Sequence, residues 1–410
     1  MTKPNLLYIT PVAPSPTGGG LAMRAYHNLL ALAGKFSIYL LIVPPGLKNP
    51  ILHTCLSQLC HRMTCIRVGP FHDFPALVRL IATKMWAKLV PLGLTNPPEL
   101  RFVSPRRIKA VAQVYRGIDF KVIHVHRLYM LPYANLFMNQ AFSGISQLDL
   151  DEIESLTRRS LSQLYLVNEN KRMAHQLSYE ANLYEKMERD SLPSFDRVFV
   201  CSNLDRAAIS AQYGCDQVEV VPNVYQVPRI TQQKPVLPPF TFLFVGYFGY
   251  YPNLDGLIFL CEQILPMIRQ NANTAFLIKV VGRGIPKKLA ERFSTLSEIE
   301  FIGSVRSVTS FYLASHAALV PIRAGGGTRI KVLEAFAYRI PVVSTPKGVE
   351  GLAVLHQKQV LVGSTAELFA LQCCRLMTNS ELGEEISESA FSLLNKDYIL
   401  DVAKQVVCQK

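Results

Sequence analysis

The sequence predicts an α/β protein of two doubly wound domains, each a parallel sheet with helices on both faces. Three observations carry that expectation. Short apolar runs alternate with helix-length stretches of 3.6-residue periodicity through both halves of the chain. Each half opens with a strand, a glycine-containing loop and a helix. Residues 225–239, with Pro228, Pro235, Pro238 and Pro239, interrupt the pattern and read as a linker. The expected organisation is a first domain over 1–224, a second over 240–395, and a closing helix at 396–410 that packs back on the first domain.

The elements follow in order. Leu6–Ile9 is a continuous apolar run, as a buried parallel strand should be. The loop from Pro11 ends in Gly18-Gly19-Gly20, and Leu21, Ala25, Leu29 and Leu32 then mark a helix. Phe36–Val43 is the second strand. Residues 44–117 are less regular, with basic helices expected at Asp73–Val90 and Ser104–Tyr115. Strands return at Phe120–His126 and Gln147–Leu150, and a long helical stretch spans about Ile153 to Glu188. Strand Arg197–Cys201, helix Leu204–Tyr213 and strand Val218–Val221 close the first half. The second half reads as strand Thr241–Val245, helix Leu254–Arg269, strand Ala275–Val281, a helix from Lys287 and strand Glu300–Ile302. Helix Val305–Ala314, strand Ala317–Pro321, helix Arg329–Tyr338 and strand Pro341–Ser344 follow, and the tail over 365–407 is mostly helical.

Composition excludes several classes. Of the 410 residues 49% are hydrophobic and 18% charged, which rules out a disordered, collagen-like or coiled-coil chain. No stretch reaches membrane-span length; Phe36–Val43 is only strand-length. Asn5, Thr10 and the prolines at 11, 14 and 16 break any signal-peptide core. Nine cysteines without a CxxC pair point to reduced thiols and a cytoplasmic protein. The net charge of +13 lies in residues 1–127, which hold 16 Lys+Arg against 3 Asp+Glu. That segment is expected to meet an anionic partner, a membrane surface or a phosphorylated small molecule, or merely to keep the chain soluble. Nucleic acid is not expected, because no zinc finger, RNP-type or helix-turn-helix signature is present.

Two glycine loops carry the chemistry. Gly18-Gly19-Gly20 lets backbone approach a ligand at a helix start, or is simply a tight turn. It is neither GxGxxG, since Met23 stands in the last glycine position, nor a Walker A loop. The second stretch runs from Arg323 through Gly325, Gly326, Gly327, Thr328, Arg329 and Lys331 to Glu334. Cations in a first helical turn oppose the helix dipole, and a bound phosphate would resolve the conflict. Glu334, a turn further on, can accept from sugar hydroxyls. An ordinary capped helix with surface charges is the structural alternative.

This stretch, followed by Arg339-Ile340-Pro341-Val342-Val343-Ser344 and Gly348-Val349-Glu350-Gly351, resembles the donor-binding region of family-4 (group 1) retaining glycosyltransferases, in the form of their bacterial polysaccharide-type branch. Phe244-Val245-Gly246, Pro252-Asn253, Phe301-Ile302-Gly303-Ser304-Val305 and Val320-Pro321 extend the resemblance over about 240–395. The first half is similar more loosely, through Gly18–Gly20 and His124-Val125-His126. The resemblance implies a GT-B fold, two Rossmann-like domains facing across a cleft. It implies transfer of a sugar from a nucleoside-diphosphate sugar to a hydroxyl acceptor, with retention and without an obligatory metal. By position, Gly246 belongs near the diphosphate and Phe301, Gly303 and Val305 line the base pocket. Gly326, Gly327 and Thr328 lie near sugar and phosphates, Arg329 and Lys331 neutralise the diphosphate, and Glu334 holds the ribose. Gly18, Gly19 and Gly20 border the acceptor side. His126 meets the reacting end, with His124, of the same strand parity, the alternative. Two departures are visible: Gly326 replaces a frequent glutamate, and Tyr247, Phe248 and Tyr250 stand where an arginine is usual. A non-catalytic nucleotide-sugar-binding subunit is the rival reading. Asp149-Leu150-Asp151 looks like a metal-binding DxD, but it also precedes a helix whose start favours acids.

Overall fold

The computed structural model describes residues 3–46, 49–66, 96–139, 141–228 and 238–409. The chain divides into two compact units, Met1–Pro222 with Asp401–Lys410, and Asn223–Leu400.

The first unit is built on a parallel sheet: β1 (Asn5–Thr10), β2 (Ser37–Ile42), β3 (Arg62–Cys65), β4 (Val122–His126), β5 (Ile145–Asp149), β6 (Arg197–Val200) and β7 (Val218–Val220). Their spatial order is β3-β2-β1-β4-β5-β6-β7. Five of the six β1 residues are buried, as a strand with helices on both faces requires. The order reverses between β1 and β4, where Tyr8 pairs with His124 and Ile9 with Val125. The second unit repeats the plan with β8 (Phe240–Val245), β9 (Phe276–Val281), β10 (Ile299–Gly303), β11 (Ala317–Val320), β12 (Val342–Ser344) and β13 (Leu361–Val362). Its order, β10-β9-β8-β11-β12-β13, reverses between β8 and β11. In such sheets ligands bind beyond the carboxyl ends of the strands at the reversal.

Several expectations need correction. The helical stretch at 153–188 is two helices, Glu154–Val167 and Lys171–Ser191. Glu169 breaks it with φ 59°, and the Asn170 side chain caps the second helix by accepting from the Met173 amide at 3.1 Å. The helix expected at Val305–Ala314 is confined to Thr309–Leu313. Strands β3 and β13 lie at sheet edges and are too short for a periodic signal. The helix expected at Asp73–Val90, and linker residues 229–237, lie outside the described residues. The other basic helix is present as Pro105–Gln113, capped by Ser104. One of its cations points inward, since Arg107 is buried and donates to the Pro44 and Gly46 carbonyls, both at 2.7 Å.

The tail forms helices Ala366–Thr378, Ser380–Asp397 and Leu400–Val407. Arg197 fastens the last of them in the first unit, donating to the Val406 carbonyl at 2.8 Å and to the Gln409 carbonyl at 2.9 Å. None of the nine cysteines is in a disulfide. Among the described residues no helix is long and apolar enough to cross a membrane.

Candidate functional site

In the second unit the loops after β8 and β11 border the sheet reversal, and Asn253 joins them. Its side-chain amide donates to the Tyr247 carbonyl at 2.8 Å, and its Oδ1 accepts from Lys331 Nζ at 2.7 Å. The Gly246 amide donates to the Val281 carbonyl at 3.0 Å. Gly282 has φ 143°, and a Cβ there would overlap the Gly246 carbonyl oxygen, so only glycine lets the two turns meet. The Gly282 amide in turn donates to the Gly303 carbonyl at 2.8 Å. Thus Gly246, the Gly282 turn and the end of β10, with half-buried Phe301 and Val305 alongside, form one continuous rim.

The loop after β11 is rigidly tied. Arg323 makes a two-pronged ion pair with buried Asp255, at 2.6 and 2.9 Å. Thr328 is buried and accepts from the Asn223 side chain at 2.8 Å. Gly325 and Gly327 have φ 109° and 66°. The helix Ile330–Ala337 follows without a side-chain cap and without an acid in its first turn. Its amide end therefore receives no carboxylate from its own first turn.

Both cations differ from the expectation of full charges in that turn. Arg329 precedes the helix in extended conformation, φ −87° and ψ 99°. Its guanidinium turns back on its own loop, donating to the Gly326 and Gly327 carbonyls and, at 3.3 Å, to that of Ala324. Lys331 does lie in the first turn, but burial and then the neighbouring Arg329 push its ammonium down to about 7, against the opposing pull of Glu334. It lies 5.1 Å from the centre of the Phe244 ring. The Glu334 carboxylate is half-buried, and that loss of water raises its pKa. Its oxygens accept from the Tyr225 and Tyr312 hydroxyls at 2.9 and 3.0 Å. A carboxylate has about four acceptor positions, so two remain for a sugar.

In the first unit, His126 ends β4 at the sheet reversal. Its Nδ1 is 3.1 Å from the Thr10 hydroxyl at the end of β1, and its buried Nε2 has no hydrogen-bond partner. Burial drives the ring's pKa down to about 3, so it is neutral near pH 7. His124, equally buried and also without a partner at Nε2, is stacked on Tyr8 at 4.7 Å and lies 3.0 Å from Gln147 Oε1. The next residue after His126, Arg127, has φ 79°. Three carboxylates hold it there: Glu154, Glu152 at 2.8 Å and Asp151 at 3.3 Å. Gly18 and Gly19 are exposed, and added Cβ atoms there would meet nothing within 4 Å; Gly20 starts the helix Gly20–Ala33.

That helix also supplies a residue whose role the sequence did not reveal. Arg24 is buried and bonds Asp149 at 2.7, 2.9 and 3.0 Å, while its Nη1 reaches the Val221 carbonyl at 2.9 Å. Asn28 adds a second side chain on Asp149 at 2.5 Å. Burial alone would raise the Asp149 carboxyl; the charge and hydrogen bonds of Arg24 override it and hold it below its ordinary value. Both Asp149 oxygens are therefore engaged in anchoring the helix that carries the glycine loop. Among the described residues no group of three or more His, Cys, Asp or Glu side chains could hold a metal ion. Arg24, Arg127, Asn253, Tyr225 and Tyr312 escaped sequence reading. Only Asn253 carried a signal there, as part of the Pro252-Asn253 pair.

Residues 239–379, which hold this rim, loop and helix, match the family model described as glycosyl transferases group 1. That stretch of the chain is similar to group 1 glycosyl transferases. A curated relative of this chain, an uncharacterized 44.6 kDa protein in the cps region of Klebsiella pneumoniae, is 28% identical over 180 residues. That match covers 40% of this chain and 46% of the relative, so the chain spans just under half the relative's length. Sucrose-phosphate synthase from Thermosynechococcus elongatus is similar with a TM-score of 0.66 and 16% identity, over 98% of this chain and 96% of that one. HepE from Anabaena, solved with UDP and glucose, is similar with a TM-score of 0.65 and 12% identity, over 98% and 97%. A Rickettsia africae glycosyltransferase gives 0.63 and 11%, over 99% and 97%. At these identities the likeness speaks for the fold, which is GT-B, built on the two parallel sheets described above.

Proposed function

We propose that this glycosyltransferase moves a sugar from a nucleoside-diphosphate sugar to a hydroxyl acceptor with retention of anomeric configuration. The observation that carries the reading is the joint at Asn253. It ties Lys331, in the helix that follows the glycine loop, to the Tyr247 carbonyl next to Gly246 at a sheet reversal, beside a helix amide end with no acid in its first turn. In this reading the diphosphate occupies that end, contacted by Gly246, Gly326, Gly327, Thr328, Arg329 and Lys331. Phe301, Gly303 and Val305 line the base, and Glu334 takes the ribose hydroxyls. The bond between the anomeric carbon and the donor phosphate oxygen breaks as the acceptor oxygen bonds that carbon. The acceptor proton passes to the departing phosphate.

His126 is the group of the first unit assigned to the reacting sugar and its acceptor. Being neutral, it acts through a hydrogen bond at Nε2 and not as a charged acid. Gly18–Gly20 borders the acceptor. Cations and backbone amides replace a metal in this scheme. The protein works in the cytoplasm, with its basic first half toward an anionic membrane face or a phosphorylated acceptor. HepE, a neighbour in fold, was solved with UDP, which puts UDP-sugars first. The test is a thermal-shift screen of UDP-, GDP-, dTDP- and ADP-sugars, followed by donor turnover with the sugar that shifts. A donor that binds and is never consumed would make the chain a non-catalytic binding subunit. No shift with any donor would refute the site.

A further inference from the structure

A cavity of about 660 Å³ lies in the first unit between edge strand β3 and helix Pro105–Gln113. Arg62, Arg106 and Arg116 line it together with Thr64, and its described lining contains no carboxylate. All three arginines are exposed, and among the described residues none of them is in an ion pair. The wall behind them is fixed. Arg107 is buried on two backbone carbonyls, and the Tyr115 hydroxyl donates to the Leu40 carbonyl at 2.9 Å. Tyr115 has φ 60° and Gly117 φ 78°, so the turn that presents Arg116 is a specific one. Arg62 lies over the Tyr115 ring at 5.3 Å.

Carboxylates are scarce in this part of the chain. Of the three carboxylates in residues 1–127, Glu99 is taken by Arg158 at 2.7 Å and by the Tyr184 hydroxyl. Asp119 is taken by Lys121 at 2.7 Å. Asp73 lies outside the described residues. Three guanidiniums converging on one concavity repel each other unless an anion sits between them, and their forked donors match phosphate oxygens.

We propose that this cavity binds a phosphate or diphosphate group, at a site separate from the nucleotide site of the second unit. The group belongs either to a soluble phosphorylated molecule or to a lipid headgroup. The test uses the full-length protein with two probes: inorganic pyrophosphate by calorimetry, and phosphatidylcholine vesicles with or without phosphatidic acid by co-sedimentation. R62A/R106A/R116A should weaken binding of the probe that binds by about 30-fold or more, the loss expected from removing several charge-assisted contacts. R62K/R106K/R116K, which keeps the charge, should retain most of it and guards against a misfolded alanine variant. K171A/K287A/K288A, which removes the same charge elsewhere, should bind as wild type. R329A/K331A should leave this binding in place even if it abolishes donor binding, which separates this proposal from the donor-site reading. Pyrophosphate binding alone assigns a soluble ligand, and vesicle binding that requires phosphatidic acid assigns a lipid. The proposal is overturned if neither probe binds, if the alanine variant binds as tightly as wild type, or if the control variant loses binding equally.

Discussion

Lys331 should take up a proton when a nucleotide sugar binds. Its ammonium is pushed down to about 7 by burial and by Arg329, so without a bound anion it is half-charged at neutral pH. A diphosphate beside it stabilises the charged form and raises that value again. At pH 8 a group of pKa 7 is about one-tenth protonated, so binding should draw in about 0.9 proton. The sign follows: affinity is highest below pH 7 and falls as the ammonium deprotonates. A nucleotide sugar has no ionisation of its own phosphates in this range. Between pH 7 and 8 the affinity should therefore drop about fivefold, the ratio of charged fractions, when charged Lys331 is required. The assay is titration calorimetry of UDP-glucose, or whichever donor binds, in two buffers of different ionisation enthalpy at pH 8. Lys331→Arg, whose side chain stays charged at all accessible pH, should bind without the proton uptake. Uptake near zero in the wild type, or the same uptake in the arginine variant, would refute the placement of the diphosphate against Lys331.

Arg329→Ala should weaken nucleoside diphosphate binding by about 1.5–3 kcal/mol, the worth of a charged hydrogen bond; unchanged calorimetric affinity contradicts the assignment. His126→Ala should cut turnover by about 10²–10⁴-fold with little change in donor affinity, whereas His124→Ala, whose ring is stacked on Tyr8, should mainly lower stability. A loss of turnover confined to His124→Ala moves the assignment by two residues. Arg24→Ala should destabilise by about 3–5 kcal/mol in urea unfolding, because it strands a buried carboxylate. Asp149 is held below its ordinary pKa, so its contribution is present above about pH 4 and is lost as pH falls through the folded value; a loss under about 1 kcal/mol at pH 7 contradicts a buried pair of that strength. Activity should survive exhaustive chelation with EDTA, and a complete loss restored by Mg²⁺ or Mn²⁺ would make Asp149 and Asp151 ligands.

Much of this molecule was legible in the order of its residues. The alternation of apolar runs and helical periods determines two parallel α/β sheets, because strands buried on both faces must be continuously apolar. Glycine loops at strand ends mark where a chain turns into a helix and exposes amides, which is why Gly246 and Gly325–Gly327 could be singled out. Charge along the chain showed that the first 127 residues are basic. Tertiary structure alone decided how those charges are used. Arg24 and Asp149 are 125 positions apart yet form a buried ion pair, and Tyr225 reaches Glu334 across 109 positions. A hydrogen-bond partner so distant leaves no local pattern, and burial, which sets whether Lys331 or His126 is charged, depends on neighbours from other elements. Residue types and spacing name the groups available; packing determines their solvent and their partners, and so their charge.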